Sequence, residues 1–195
     1  QMKVAVDCHQ EIGTDATGFA AQAKIHTRNN IGPSGKIYFA TKQGYPNKDE
    51  KRTDYPGGYS LVYDPATEKT REYGIPVPHQ GIISITPDES RNVAYISTCS
   101  DERPIESTHF MILDLETGKY RDLLDCRHMY AFIVVDNLGR AYHPILGRSL
   151  LPSHGLERCL LGVGPNAQEI GDVQGLIERA EKVVLAPRFG RRSRP

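Results

Sequence analysis

The sequence predicts an all-β protein built from consecutive four-stranded antiparallel units. Three observations predict it: a strand that recurs with a tyrosine at a fixed place, a hairpin that recurs with an aspartate, and short β-branched segments between them. Gly35-Lys-Ile-Tyr-Phe-Ala-Thr, Asn92-Val-Ala-Tyr-Ile-Ser-Thr and Gly139-Arg-Ala-Tyr-His-Pro-Ile each begin with a turn residue and carry a tyrosine three places later. The first two are followed by a long polar loop and then by Ser60-Leu-Val-Tyr-Asp-Pro-Ala-Thr and Phe110-Met-Ile-Leu-Asp-Leu-Glu-Thr, whose aspartates Asp64 and Asp114 are 50 positions apart. Tight turns at Glu68-Lys69 and Gly118-Lys119 lead into Thr70-Arg-Glu-Tyr-Gly-Ile and Tyr120-Arg-Asp-Leu-Leu-Asp, which completes a hairpin in each unit.

Each tyrosine strand has a predecessor. Gly81-Ile-Ile-Ser-Ile-Thr-Pro and Ala131-Phe-Ile-Val-Val-Asp are rich in β-branched and aromatic residues, and the turns after them use Asp, Asn and Gly, which tolerate or stabilise turn geometry. The order is therefore inner strand, turn, tyrosine strand, long loop, hairpin strand, turn, outer strand. Units of this kind at a period of about 40 to 50 residues have the pattern of β-propeller blades. Two complete blades fall at 25–74 and 75–125, and half of a third runs to 147. A closed propeller needs at least about four blades, so the reading is an incomplete propeller over 1–147; a small β-sandwich is the competing fold. Lys3-Val-Ala-Val-Asp-Cys matches Asp122-Leu-Leu-Asp-Cys and reads as the outer strand of a preceding unit.

Beyond 147 this pattern stops. The tail 148–195 has no tyrosine, and Ile170, Val173, Ile177, Ala180 and Val184 fall at helical spacing between Pro165-Asn166 and Pro187, which predicts one amphipathic helix followed by a disordered basic end. An altered reading frame or an unrelated extension would account for the break.

Composition narrows the function classes. The 195 residues include 38% hydrophobic ones, enough for a core, and 24 Lys+Arg balance 24 Asp+Glu, without the basic excess of a nucleic-acid binder. No apolar run approaches the roughly 18 to 20 residues of a spanning helix, and no signal-peptide zones open the chain. Four cysteines, Cys8, Cys99, Cys126 and Cys159, lack the close Cys/His spacing of structural zinc sites and read as small buried residues at strand ends, or as disulfide partners. Nothing in the sequence fixes the compartment.

Antiparallel alternation places the entry of each inner strand and the long second loop on one end of the blades. Histidines recur there: His26 lies 12 residues before Tyr38, His79 lies 16 before Tyr95 and His128 lies 14 before Tyr142. In a propeller these mouths ring the axis, so three imidazoles would converge, suited to a first-row metal or to general-base work. His9, Gln10 and Gln80 could supplement them, and Arg28 and Arg127 could hold an acidic substrate in bidentate fashion. The ordinary alternative is that such histidines bond loop carbonyls. The loops 42–58 and 99–108 bring Asp54, Tyr55, Asp101, Glu102, Arg103, Glu106 and His109 to the same end, chiefly as solvated residues.

The combination Gly-x-Ile-Tyr-Phe, Tyr-Asp-Pro-x-Thr and Leu-Asp-Leu-x-Thr-Gly-Lys resembles the propeller superfamily that includes virginiamycin B lyase and oligogalacturonate lyase, over roughly 1–147. The resemblance implies a divalent cation near the axis, magnesium or manganese with calcium as a further option. His26, His79, His128 and Gln80 would be its ligands, and His79, His128 and Arg127 the catalytic groups. The implied chemistry is β-elimination on a polyanionic sugar or a lactone, with an incomplete ligand ring because blades are missing. The alternative is a noncatalytic module that binds a protein or glycan through its loop face. In either case exposed blade edges invite self-association.

Overall fold

A computed structural model describes residues 3–51, 54–100, 108–126, 132–148 and 156–163. The described residues are mostly β, arranged as three antiparallel sheets. The first sheet holds β1 (Lys24–Ile25), β2 (Asn30–Ile31), β3 (Ile37–Lys42), β4 (Ser60–Asp64) and β5 (Lys69–Glu72); β1 and β2 both pair with β3, which continues through β4 to β5. The second runs β6 (Gly81–Asp88), β7 (Val93–Cys99), β8 (Thr108–Asp114) and β9 (Tyr120–Cys126) in that spatial order. The third runs β10 (Val134–Val135), β11 (Ala141–Arg148) and β12 (Leu156–Val163).

The inner strand of the first sheet is split for a local reason. Asn29 takes φ 53°, in the left-handed region that interrupts extended backbone. Between the two pieces the Ala40 N–H donates to the Thr27 hydroxyl at 3.1 Å instead of to a neighbouring strand. Hairpins close as the aspartates predict: Asp64 Oδ1 accepts from the Ala66 N–H at 2.9 Å, and Asp114 Oδ1 accepts from Glu116 and Thr117 at 2.9 and 2.8 Å.

Side-chain alternation then assigns each face. Tyr38, Ala40 and Val62 of the first sheet pack with Ile82, Ile85, Ala94, Ile96, Met111 and Leu113 of the second. On the second sheet's other face, Tyr95, Phe110 and Ile112 pack with Ile133 and Ala141 beside the third. Side chains such as Leu61, Ile85, Ile96 and Phe110 are fully buried, each worth about 1.5–3 kcal/mol relative to exposure.

The tyrosines have a specific task. Tyr38 reaches across to the turn after β6 and donates to Glu89 Oε1 at 2.8 Å, while Tyr95 donates to the Gly139 carbonyl in the turn after β10 at 3.3 Å. Inner strands are tied in the same sequence: Asn30 Nδ2 donates to the Ile85 carbonyl at 2.6 Å, and the Thr86 hydroxyl to the Ile133 carbonyl at 3.0 Å. Outer hairpins are tied as well, Arg71 donating to the Leu115 and Glu116 carbonyls at 2.8 Å each.

Two regions differ from the sequence reading. The N-terminal residues are not an outer strand: Asp7 caps a short helix, α1 (Cys8–Ile12), by accepting from His9 and Gln10 at 3.0 and 3.3 Å, and Gly13 ends it with φ 71°. Cap and stop residues six positions apart override the alternation of the preceding valines. The strand β12 lies past the boundary drawn at 147, in register with β11 from Ala141↔Val163 to Arg148↔Leu156. The predicted helix over 170–184 lies outside the described residues. Cys8 is half-buried and Cys99 is buried at the end of β7. No described helix is long and apolar enough to cross a membrane.

Candidate functional site at the loop-bearing end

The end where β3 and β7 finish and β4, β6 and β8 begin carries a belt of buried polar side chains: Gln22, Thr41, Lys42, Gln43, Tyr55 and Thr98. Burying hydroxyls and amides costs free energy unless they are bonded, and here they are knitted together. The Thr41 hydroxyl donates to Gln22 Oε1 at 2.7 Å and accepts from the Tyr59 N–H at 2.9 Å. One sheet over, the Thr98 hydroxyl donates to Gln80 Oε1 at 2.6 Å and accepts from the His109 N–H at 2.8 Å. A glutamine just before an inner strand is thus latched to a threonine at the end of a tyrosine strand, twice.

These latches hold the long loop after β3 against the second sheet. Gln22 Nε2 donates to the Gly57 carbonyl at 2.9 Å, and the Gly58 N–H donates to the Gln80 carbonyl at 2.9 Å. Close approach requires glycine at both contacts: a Cβ on Gly58 would sit 2.3 Å from the Thr41 carbonyl oxygen, and one on Gly81 would sit 2.6 Å from Lys42 Cγ. Lys42 is only 2% exposed, its stem against Gly81 beside the Gln43 carboxamide. Sequence reasoning missed this lysine, although its place is marked: it follows Thr41 as Cys99 follows Thr98.

His79 is exposed, and its ring is nevertheless fixed. Nδ1 lies 2.6 Å from the Tyr55 carbonyl oxygen, and its backbone N–H donates to the Pro56 carbonyl at 3.1 Å. A carbonyl only accepts, so the hydrogen bond assigns the proton to Nδ1 and fixes the ring's orientation. His79 also holds φ 62°, a left-handed conformation that costs a non-glycine residue free energy. A second oriented imidazole lies nearby in the fold at the start of β8: His109 Nδ1 is 2.5 Å from Asp122 Oδ2. His109 was readable as a loop residue; its partner lies on β9, across a strand pair that only folding creates.

The remaining sequence candidates are distributed differently. His26 and Arg28 are exposed in the break between β1 and β2, and the Arg28 guanidinium lies 4.2 Å from the centre of the Phe132 ring at the entry to β10. Inner-strand entries of the first and third sheets therefore come together at this end. Gln80 is half-buried with its amide oxygen engaged by Thr98. His9 and Gln10 sit on α1, which packs against β5, the outermost strand of the first sheet, and so do not join the inner-strand entries. Arg127 and His128 lie outside the described residues.

For a divalent cation the donor chemistry is thin. Among the described residues no three His, Cys, Asp or Glu side chains gather as a metal-holding group. Magnesium and manganese favour carboxylate and other oxygen donors, whereas His26, His79 and Gln80 offer two imidazoles and one amide oxygen already in a hydrogen bond. The described residues alone do not make a magnesium or manganese site.

Exposed aromatic surface completes this end. Tyr45, in the long loop, is 78% exposed, and Lys24 Nζ stands 3.7 Å from its ring centre. A cleft of about 640 Å³ lies elsewhere, at the turn end between the first two sheets; Lys36, Lys69 and Arg71 face Asp64, Glu89 and Glu116 across it, with no excess of either charge. No known family model matches the chain, and no curated protein is recognisably similar to it in sequence.

Proposed function

We propose that the three sheets are consecutive blades of a β-propeller, and that their loop-bearing end is a noncatalytic binding face for an acidic glycan. The carrying observation is Tyr45 with Lys24 beside its ring, on a loop that Gln22, Thr41 and Gln80 hold rigid. An exposed aromatic ring gives a sugar a flat apolar surface, and the neighbouring ammonium attracts a carboxylate. Arg28, paired with Phe132, offers a second combination of the same kind. A rigid platform lowers the ordering cost of binding, which is the value of latching the loop at its base.

Titration calorimetry with an oligouronate in the presence of chelator tests this reading. Saturable binding that weakens at high salt and falls at least about tenfold in Tyr45→Ala, roughly one lost hot-spot contact, supports it. Binding that Tyr45→Ala leaves unchanged overturns it.

His79 favours a second reading, a lyase. With Nδ1 held by the Tyr55 carbonyl, a neutral ring has Nε2 available to remove the proton next to a uronate carboxyl, after which the electron pair forms the double bond and expels the glycosidic oxygen, which takes up a proton from water. A rise in ultraviolet absorbance from the unsaturated product, abolished by His79→Ala and insensitive to Tyr45→Ala at saturating substrate, would favour the lyase over the binding module.

A further inference from the structure

Each sheet has one face for the sheet before it and one for the sheet after it. In β3 and β4, the pair Tyr38↔Val62 faces the second sheet, and the adjacent pair Phe39↔Leu61 faces the other way. In β7 and β8 the matching pairs are Tyr95↔Ile112, toward the third sheet, and Ile96↔Met111, packed on the first. Phe39, Leu61 and Tyr63 thus stand where Ile96, Met111 and Leu113 stand one sheet later, on the face that packs against a preceding sheet. They are nonetheless buried, because Val6, Cys8 and Ile12 cover them. The cover is tied down at its start by Lys3 Nζ, 2.7 Å from Glu68 Oε1 at the β4–β5 turn.

The opposite face of the third sheet shows the complementary condition. Asn30 and Thr86 pair with Tyr38 and Tyr95, and both reach the next inner strand. Val134 pairs with Tyr142 in the same way, and it is 60% exposed. An apolar side chain therefore faces outward where the two earlier positions make intersheet bonds.

We propose that residues 6–12 form an end cap seated where a preceding sheet would pack, and that the face beneath the cap accepts the third sheet of a second copy of this chain. The occupant follows from the geometry: the contact between copies would repeat the ones already made between the first and second and the second and third sheets. Such a head-to-tail contact is heterologous, so it extends into rings or chains unless something blocks it, and the cap is that block.

The test uses the full chain carrying Ile12→Glu, which places a charge against Phe39 and Leu61, with Cys8 as a built-in probe and buried Cys99 as a control for the core. Gly13→Val is the milder second variant: it strains the φ 71° position that ends α1, where no neighbour lies within 4 Å, and leaves the sheet untouched. The expected result is a monomer for the parent chain, faster alkylation of Cys8 with Cys99 still protected in both variants, and concentration-dependent self-association in sedimentation velocity. Adding Val134→Arg should return the variants to monomers while Cys8 stays reactive. Variants that remain monomeric with a reactive Cys8 overturn the proposal, as does association that Val134→Arg leaves intact, or a parent chain whose Cys8 reacts as fast as the variants'. If Ile12→Glu also exposes Cys99, the Gly13→Val result decides.

Discussion

The two ends of the sheets are built from different chemistry. At the turn end, ionised and phenolic groups reach from one sheet to the next and end in fully paired contacts: Tyr38 on Glu89, Tyr95 on Gly139, Arg71 on Leu115 and Glu116. At the loop end the buried bonds are made by neutral hydroxyls and amides, Thr41 with Gln22 and Thr98 with Gln80, while Lys24, Arg28 and His79 project from the surface. The difference teaches that ionised and phenolic groups tie one sheet to the next at the turn end, whereas at the loop end hydroxyls and amides form the latches, with Lys42 buried beside them and Arg28 and His79 exposed.

Removing a turn-end tie should have the largest effect. Tyr95 is 1% exposed, stacks near Phe110 with ring centres 6.1 Å apart and bonds Gly139. Tyr95→Ala is expected to lose about 3–5 kcal/mol, the range for large aromatic truncations, measured by urea unfolding. At the loop end, Thr98→Val keeps the shape and strips one hydroxyl from Gln80 Oε1 and the His109 N–H; the expected loss is about 1–3 kcal/mol, and the proposed glycan binding should weaken with it because the loop is released. If Thr98→Val loosens binding without any loss of stability, the loop end is not held in the way described.

Acid sharpens the same contrast. Burial pushes the Asp136 carboxyl up, but the Arg140 N–H and guanidinium, the Tyr142 hydroxyl and the Leu138 N–H outweigh it and hold the group at about 2. A carboxyl more acidic when folded lends stability that is complete above its unfolded value of about 3.9 and is lost as pH falls through about 2. Asp136→Asn should therefore flatten the acid limb of a stability–pH curve between those values and leave the neutral range shallow. The smallest effect is a gain: Glu68 holds φ 53° in a hairpin turn where Gly118 holds φ 72° in the next sheet. Glu68→Gly should stabilise by about 1 kcal/mol through relief of left-handed strain, less the small contribution of the exposed Lys3 pair. A lower melting temperature in that variant would show that Lys3 matters more than the backbone.

Much of the sheet pattern was legible. The three tyrosine segments run from their turn residues into β3, β7 and β11, and the aspartates close the hairpins, because period-two alternation and turn chemistry are local. The N-terminal segment was misread for an equally local reason, since Asp7 and Gly13 bracket a helix that outweighs three alternating residues. β12 was missed because nothing in Leu156–Val163 repeats the earlier hairpin motif, and its partner supplies the ladder.

Of the site, the sequence placed His26, Arg28, His79 and Gln80 near inner-strand entries by counting back from the tyrosines. It did not show that His79 Nδ1 is held by the Tyr55 carbonyl, that Gln80 is latched to Thr98, or that Lys42 is buried against Gly81. The sequence by itself determined that the tyrosine and aspartate segments are strands and which residues turn between them, because those choices depend on neighbours a few positions away. Only the tertiary structure decided which faces are covered, which lysine is buried and which imidazole is aimed, because each depends on residues 18 to 65 positions apart in the chain that meet only when the sheets pack.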